Sequence, residues 1–112
     1  MKFLKTKNLK TTIRKEGSTI MTEQKISIIY CPRCRWLTRA SWICQELLIT
    51  FEKEISEVSL RPSESPGTFQ VFVNDKLIHC RKQHNGFPEL KILKQEIRNL
   101  ICPQKDLGHS DQ

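Results

Sequence analysis

The sequence predicts an α/β fold of order β-α-β-β-β-α, with a mixed four-stranded sheet and both helices on one face. Three observations carry this. Short β-branched runs stand at Gln24–Tyr30 and Glu57–Leu60. Two further apolar runs, "TFQVFV" and "KLIHCR", are split by the turn dipeptide Asn74-Asp75. Apolar residues recur at helical spacing from about Pro32 to Lys53, and again from Pro88 to Pro103.

The elements follow in order. Gln24–Tyr30 is short and apolar toward its end, as a buried strand should be. Pro32 is suited to a first helical position, and the stripe Trp36, Leu37, Ala40, Cys44, Leu47, Leu48 and Phe51 gives the first helix one apolar face. Trp42 lies off that stripe and should be partly exposed. Arg61–Gly67, "RPSESPG", reads as a loop. In the hairpin that follows, a two-residue turn sets Phe69 opposite Cys80 and Val71 opposite Ile78, with Phe72 and Leu77 paired on the other side. Leu90, Leu93, Ile97, Leu100 and Ile101 form the stripe of the last helix, which Pro103 ends. The tail from residue 104 to 112 is polar, and is expected to be mobile or laid over the surface.

The first two strands should pair in parallel through a right-handed crossover, and the last two antiparallel. This is a thioredoxin-like arrangement without the helix that commonly stands between the second and third strands. Only Arg61–Gly67 is available there, with two prolines. One sheet face is therefore expected to lack a helix. Phe72 and Leu77 either stand exposed on it, as an interaction face and a route to a homodimer, or lie under loops or the tail.

Composition narrows the function. A chain of 112 residues, 38% hydrophobic and 28% charged, is a single globular domain. No apolar run reaches the roughly 20 residues that span a bilayer. The formal net charge of +7 is concentrated in residues 1–20, which hold six Lys or Arg and one Glu. The remainder is nearly balanced, so nucleic-acid binding is not expected. Residues 1–20 lack the apolar region of a secretory signal. Lys15-Glu16-Gly17 can be encoded by a ribosome-binding sequence, which makes Met21 the expected start, in a bacterium. The domain then spans 21–103. An odd count of five cysteines argues against a secreted disulfide framework and for a reducing cytosol.

Cys31 and Cys34, in "IIYCPRCRWL", sit where the first strand meets the first helix. Their spacing brings two side chains close enough to bond. Helix N-terminal amides and the charges of Arg33 and Arg35 should stabilise a thiolate. Lowering a thiol pKa from about 8.5 to about 7 raises the thiolate fraction about sixteenfold and lowers nucleophilicity about fivefold. That net gain is small. The larger benefit is a second thiol held ready to resolve a mixed disulfide. Zinc is the rival reading of "CPRC", but no second C-x-x-C exists, and among His79, Cys80 and His84 the first two should point to opposite sheet faces. Two buried, inert thiols are the bland reading. No metal site is assigned. Cys44, Cys80 and Cys102 read as small buried hydrophobes, and His79, His84 and His109 as surface or turn residues.

"YCPRCRWLTRASWICQELL", "PGTFQVFVNDKLIHCRKQHNGFPELKILKQEIRN" and "DLGHSD" resemble bacterial members of the selenoprotein W-like group, the Rdx family. The resemblance runs from about Lys25 to Asp111. It implies a thioredoxin-like fold, a role in thiol redox balance, and glutathione as a co-substrate. Selenoproteins of the group carry selenocysteine at the second position of the motif, where this chain has Cys34. That pattern makes Cys34 the attacking atom, whereas thioredoxin geometry favours Cys31, which should sit nearer solvent, and the reading leans to Cys31. Pro32, Pro66 and Gly67 are expected to shape the site, Pro66 standing near the position of the thioredoxin cis-proline. Two functions follow: a cytoplasmic thiol-disulfide oxidoreductase with no bound cofactor, or a redox-sensitive protein-binding adaptor without turnover.

Overall fold

The structure is a computed structural model that describes residues 23–111. The basic segment 1–20 and the expected start at Met21 lie outside the described residues. Strand β1 is Lys25–Tyr30, helix α1 Leu37–Thr50, β2 Glu57–Pro62, β3 Phe69–Val73 and β4 Lys76–Cys80. A single helical turn, α2, spans Arg81–His84, α3 spans Leu90–Ile101, and a 3-10 turn closes the tail at Gly108–Asp111. The sheet order is β2-β1-β3-β4. β1 and β2 are parallel, joined through α1, and the other two pairings are antiparallel.

The period of two in β1 and β3 decides which face is buried. Ile26, Ile28 and Tyr30 alternate with half-buried or exposed neighbours, as do Phe69, Val71 and Val73. Those residues form one core with Ala40, Ile43 and Leu47 of α1, Phe51 and Ile55 beyond it, and Leu93 and Ile97 of α3. Both long helices therefore cover the same face, as expected, and Lys94 of α3 donates to Glu46 of α1 at 3.1 Å. Ser27, Ile29, Gln70 and Phe72 occupy the alternate positions and are half-buried. Phe72 pairs with Leu77 as expected, and both are half-buried rather than exposed.

Four local expectations need correction. First, α1 begins at Leu37, so Pro32 sits in a turn and not at a helix start. The chain is held there by bonds from Arg35 N–H to the Pro32 carbonyl at 3.1 Å and from Trp36 N–H to the Cys31 carbonyl at 3.4 Å. Arg35 takes a φ of 63°, which no helical residue adopts. Second, the buried face of α1 runs through Ala40, Ile43 and Leu47, rotated from the expected stripe, leaving Leu37 and Leu48 exposed beside Trp42 and Ile49.

Third, the hairpin register slips by one beyond Phe72. The Asn74-Asp75 turn is as predicted, with φ of 50° and 77°, but an irregularity between Val71 and Phe72 sets Val71 opposite His79 and Gln70 opposite Cys80. A bulge inserts one residue and swaps the side-chain faces beyond it. His79 therefore turns inward and is buried, with its Nε2 2.8 Å from the Gly86 carbonyl. Cys80 leaves the Phe69 side. Fourth, β4 does not run into a loop but into α2, which the sequence reading missed. The tail lies over the surface. Arg98 donates to both carboxylate oxygens of Asp111 at 2.8 Å, and Leu107 packs against the core.

Candidate thiol site

β1 delivers Cys31 to the end of the central strand pair, and the turn Pro32–Arg35 folds Cys34 back toward it. The two sulfurs stand 2.6 Å apart, with the Cys34 thiol donating to Cys31. A disulfide bond is about 2.05 Å long, so closure needs little motion. The thiol hydrogen bond from Cys34 holds the Cys31 pKa below the ordinary range, against the opposing effect of burial, with help from the backbone N–H groups of Gly67, Cys34 and Arg33. Cys34, which holds the shared proton, is pushed up for the same reason, and the Gly67 N–H and Arg81 pull it back. The two thiols titrate as a pair sharing one proton.

This arrangement replaces the helix-dipole account. α1 starts three residues after Cys34, and the amides that face the sulfurs belong to the turn and to Gly67, in the loop before β3. Gly67 sits at a φ of 75°, where a side chain is strained. Its N–H faces the two sulfurs. Pro66 lines a cleft of about 570 Å³ together with Cys31, Pro32, Arg33, Pro62, Ser63 and Glu64. No cis peptide occurs among the described residues, so the bond before Pro66 is trans. Arg33 reaches the pair through its backbone N–H, its side chain being exposed. Arg35 is exposed and shapes the turn through its backbone.

Access reverses the expectation about which sulfur faces solvent. Cys31 is 1% exposed and Cys34 is half-buried. The second cysteine, and not the first, is therefore the more accessible.

Beneath the pair lies an aromatic cluster that the sequence reading did not assemble. Trp36, Phe69 and Phe87 meet edge to face at centroid distances of 4.8 to 6.4 Å. Arg39 stacks over Phe87 at 4.0 Å, and Arg81 lies over Trp36 at 4.8 Å. Arg81 stands next to Cys80 in "HCRK" and Phe87 in "NGFPE". Nothing in their local spacing announces that the α2 turn brings them to Cys34.

The remaining cysteines part company with the pair. Burial pushes the Cys44 and Cys102 thiols up. Cys80 is 6% exposed and is lowered, chiefly by the Gln83 N–H. His84 places Nδ1 3.0 Å from the Cys80 backbone and stacks on His79 at 4.8 Å. No group of three His, Cys, Asp or Glu side chains suited to a metal occurs among the described residues.

A four-stranded thioredoxin-like sheet with a C-x-x-C at the end of its central strand defines a class of small redox-related proteins. The chain belongs to the Rdx family, which it matches over residues 25–99. It is similar to the crystal structure of a selenoprotein W-related protein from Vibrio cholerae, at 47% identity and a TM-score of 0.68, covering 70% of this chain and 98% of that one. It is also similar to a crystal structure from Bordetella parapertussis, at 41% identity and a TM-score of 0.69, covering 71% of this chain and 100% of that one. A search of curated proteins finds no match. No described helix is long and apolar enough to cross a membrane.

Proposed function

We propose that this chain is a thiol-disulfide oxidoreductase of cellular redox balance, cycling between a dithiol and a Cys31–Cys34 disulfide. One observation carries the reading: two sulfurs 2.6 Å apart, faced by backbone N–H groups. Cys34, the more exposed, is the attacking atom. Its proton passes along the hydrogen bond to Cys31 as its sulfur forms a bond to one sulfur of a substrate disulfide and expels the other as a thiolate. Cys31 then attacks Cys34, giving the intramolecular disulfide and releasing the second substrate thiolate. Two electrons pass from the pair to the substrate. A thiol such as glutathione resets the pair by the reverse exchange, as co-substrate and not as a bound cofactor. A reducing cytosol suits a chain whose cysteines are all free among the described residues. Neither nucleic acid nor a membrane is among the proposed partners.

The test is the reduction potential of the pair, with the reductase activity of the wild type and of each Cys→Ser variant. An exchange couple lies between about −180 and −270 mV. Should the wild type reduce a small disulfide no faster than free cysteine does, the adaptor reading replaces this one. The exposed apolar side chains Leu37, Trp42, Leu48 and Ile49, on the helix that leaves the site, favour that second reading. Phe72 and Leu77, half-buried, offer a homodimer less area.

A further inference from the structure

We propose that Arg39 and Arg81, stacked on the aromatic cluster beside Cys34, form a platform that binds a carboxylate on the incoming disulfide. This rests on the exchange reading above and names the substrate class: disulfides with a negative charge near the sulfur.

The two guanidiniums come from different elements, Arg39 from the first turn of α1 and Arg81 from α2, and converge on one ring. Arg39 lies 4.0 Å and Arg81 5.5 Å from the Phe87 centroid, and Arg81 also covers Trp36. Stacking holds the guanidinium planes and leaves their terminal N–H groups to donate to a carboxylate. Neither arginine makes an ion pair with a described residue, although four other pairs form. The Nε of Arg81 is shielded from solvent and has no hydrogen-bond partner. Arg81 also lies close enough to draw on the Cys34 thiolate, which places the platform within one substrate's reach of the attacking sulfur. Arg33 and Arg35, exposed on the turn, add to the positive field. Glu64, the one acid lining the cleft on the Cys31 side, is not paired with either arginine.

The chemistry tested is a single turnover. The reduced protein attacks an aryl disulfide, releases one aryl thiolate to form the mixed disulfide, and then releases the second as Cys31 closes on Cys34. Both electrons come from the protein thiols, so no further reductant is needed.

The probes are dithiobis(nitrobenzoate), with a carboxylate on each ring, and its neutral bis-amide. The quantity read is the ratio of their rates, divided by the same ratio for free cysteine. This cancels any change in thiolate content caused by substituting Arg81. The wild type should favour the anionic probe by about fivefold or more, the scale of one well-placed ion pair. The double variant R39M/R81M should bring the ratio to that of free cysteine, and R39K/R81K should restore most of it. In the wild type the preference should fade from about 0.01 M to about 1 M salt, a readout that needs no variant to fold. A wild-type ratio equal to that of free cysteine, or one indifferent to salt, overturns the platform. Failure of the exchange reading looks different: aryl thiolate appears, but no Cys31–Cys34 disulfide forms, while the charge ratio is still measured.

Discussion

Cys31 follows β1 and Cys80 ends β4, and in both places the backbone turns so that amide N–H groups face a buried sulfur. Cys31 is 1% exposed and Cys80 6%, and both thiols are held below the ordinary range. They differ in the neighbour. Cys31 has a second thiol at 2.6 Å, whereas Cys80 has the Gln70 amide at 3.8 Å. A strand end that turns back on itself is thus enough to favour a thiolate. Reversible redox chemistry requires a second sulfur as well, and only the first junction supplies it.

Removing the resolving sulfur should give the largest effect. In Cys31→Ala, Cys34 can still form a mixed disulfide but nothing resolves it, and resolution should slow by about 100-fold or more, since an intramolecular thiol has lost its effective concentration. Cys80→Ala should leave resolution unchanged. Mass spectrometry of the trapped adduct after one equivalent of a small disulfide measures both. Persistence of fast resolution in Cys31→Ala would erase the distinction between the junctions.

The two junctions also rest on different floors. Cys31 follows Tyr30, whose strand partner Phe69 is fully buried and edge-on to Trp36 and Phe87. Cys80 faces Gln70, on the other side of the same strand. Phe69→Ala should cost about 3–5 kcal/mol in urea unfolding, as an aromatic cavity does. Gln70→Ala removes one weak contact to sulfur and should cost about 1 kcal/mol at most. Similar losses at the two positions would mean that the aromatic floor is not what supports the pair.

These contrasts mark what was legible in the sequence. Short β-branched and apolar runs made β1 and β3 plain, Asn74-Asp75 fixed the hairpin turn, and C-x-x-C after a strand located the site. The limits were set by single residues. Arg35 in the left-handed region delays α1, and no pattern of apolar residues reports a backbone angle at an arginine. An irregularity at Val71 and Phe72 moves His79 inward and Cys80 outward, and strict alternation has no means of anticipating one extra residue. Arg81 and Phe87 stand far along the chain from Arg39 and Cys34, and only the α2 turn after β4 brings them to the start of α1.

Acidity gives a third contrast. The leading cause at Cys31 is the Cys34 thiol, whereas at Cys80 it is a backbone N–H. Cys34→Ala should therefore raise the Cys31 pKa toward its ordinary value of about 8.5, and no side-chain deletion at Gln70 should do as much to Cys80. Thiolate absorbance against pH reads this directly. The sign for stability follows. A depressed folded pKa means that the unfolded chain binds more protons between that value and about 8.5. Wild-type stability gains with rising pH across that window, and the gain is lost as pH falls through the folded value. Cys34→Ala should flatten the profile there.

Gly67 is where the two junctions meet, and its substitution should give a modest effect. Its N–H faces both Cys31 and Cys34, while the space its side chain would occupy ends 3.5 Å from Cε of Lys82. Lys82 in turn acts on Cys80. In Gly67→Ala the new methyl meets only ordinary contact, so the cost is conformational, about 1–2 kcal/mol for an L residue held at positive φ. That should appear as a fall of several degrees in Tm. If the strain is relieved by shifting the loop, the N–H leaves the sulfurs, and the Cys31–Cys34 pair becomes less acidic while Cys80, served by its own α2 amides, does not change. A shift at Cys80 equal to that at Cys31 would show that the loop before β3 couples the two junctions rather than serving one of them.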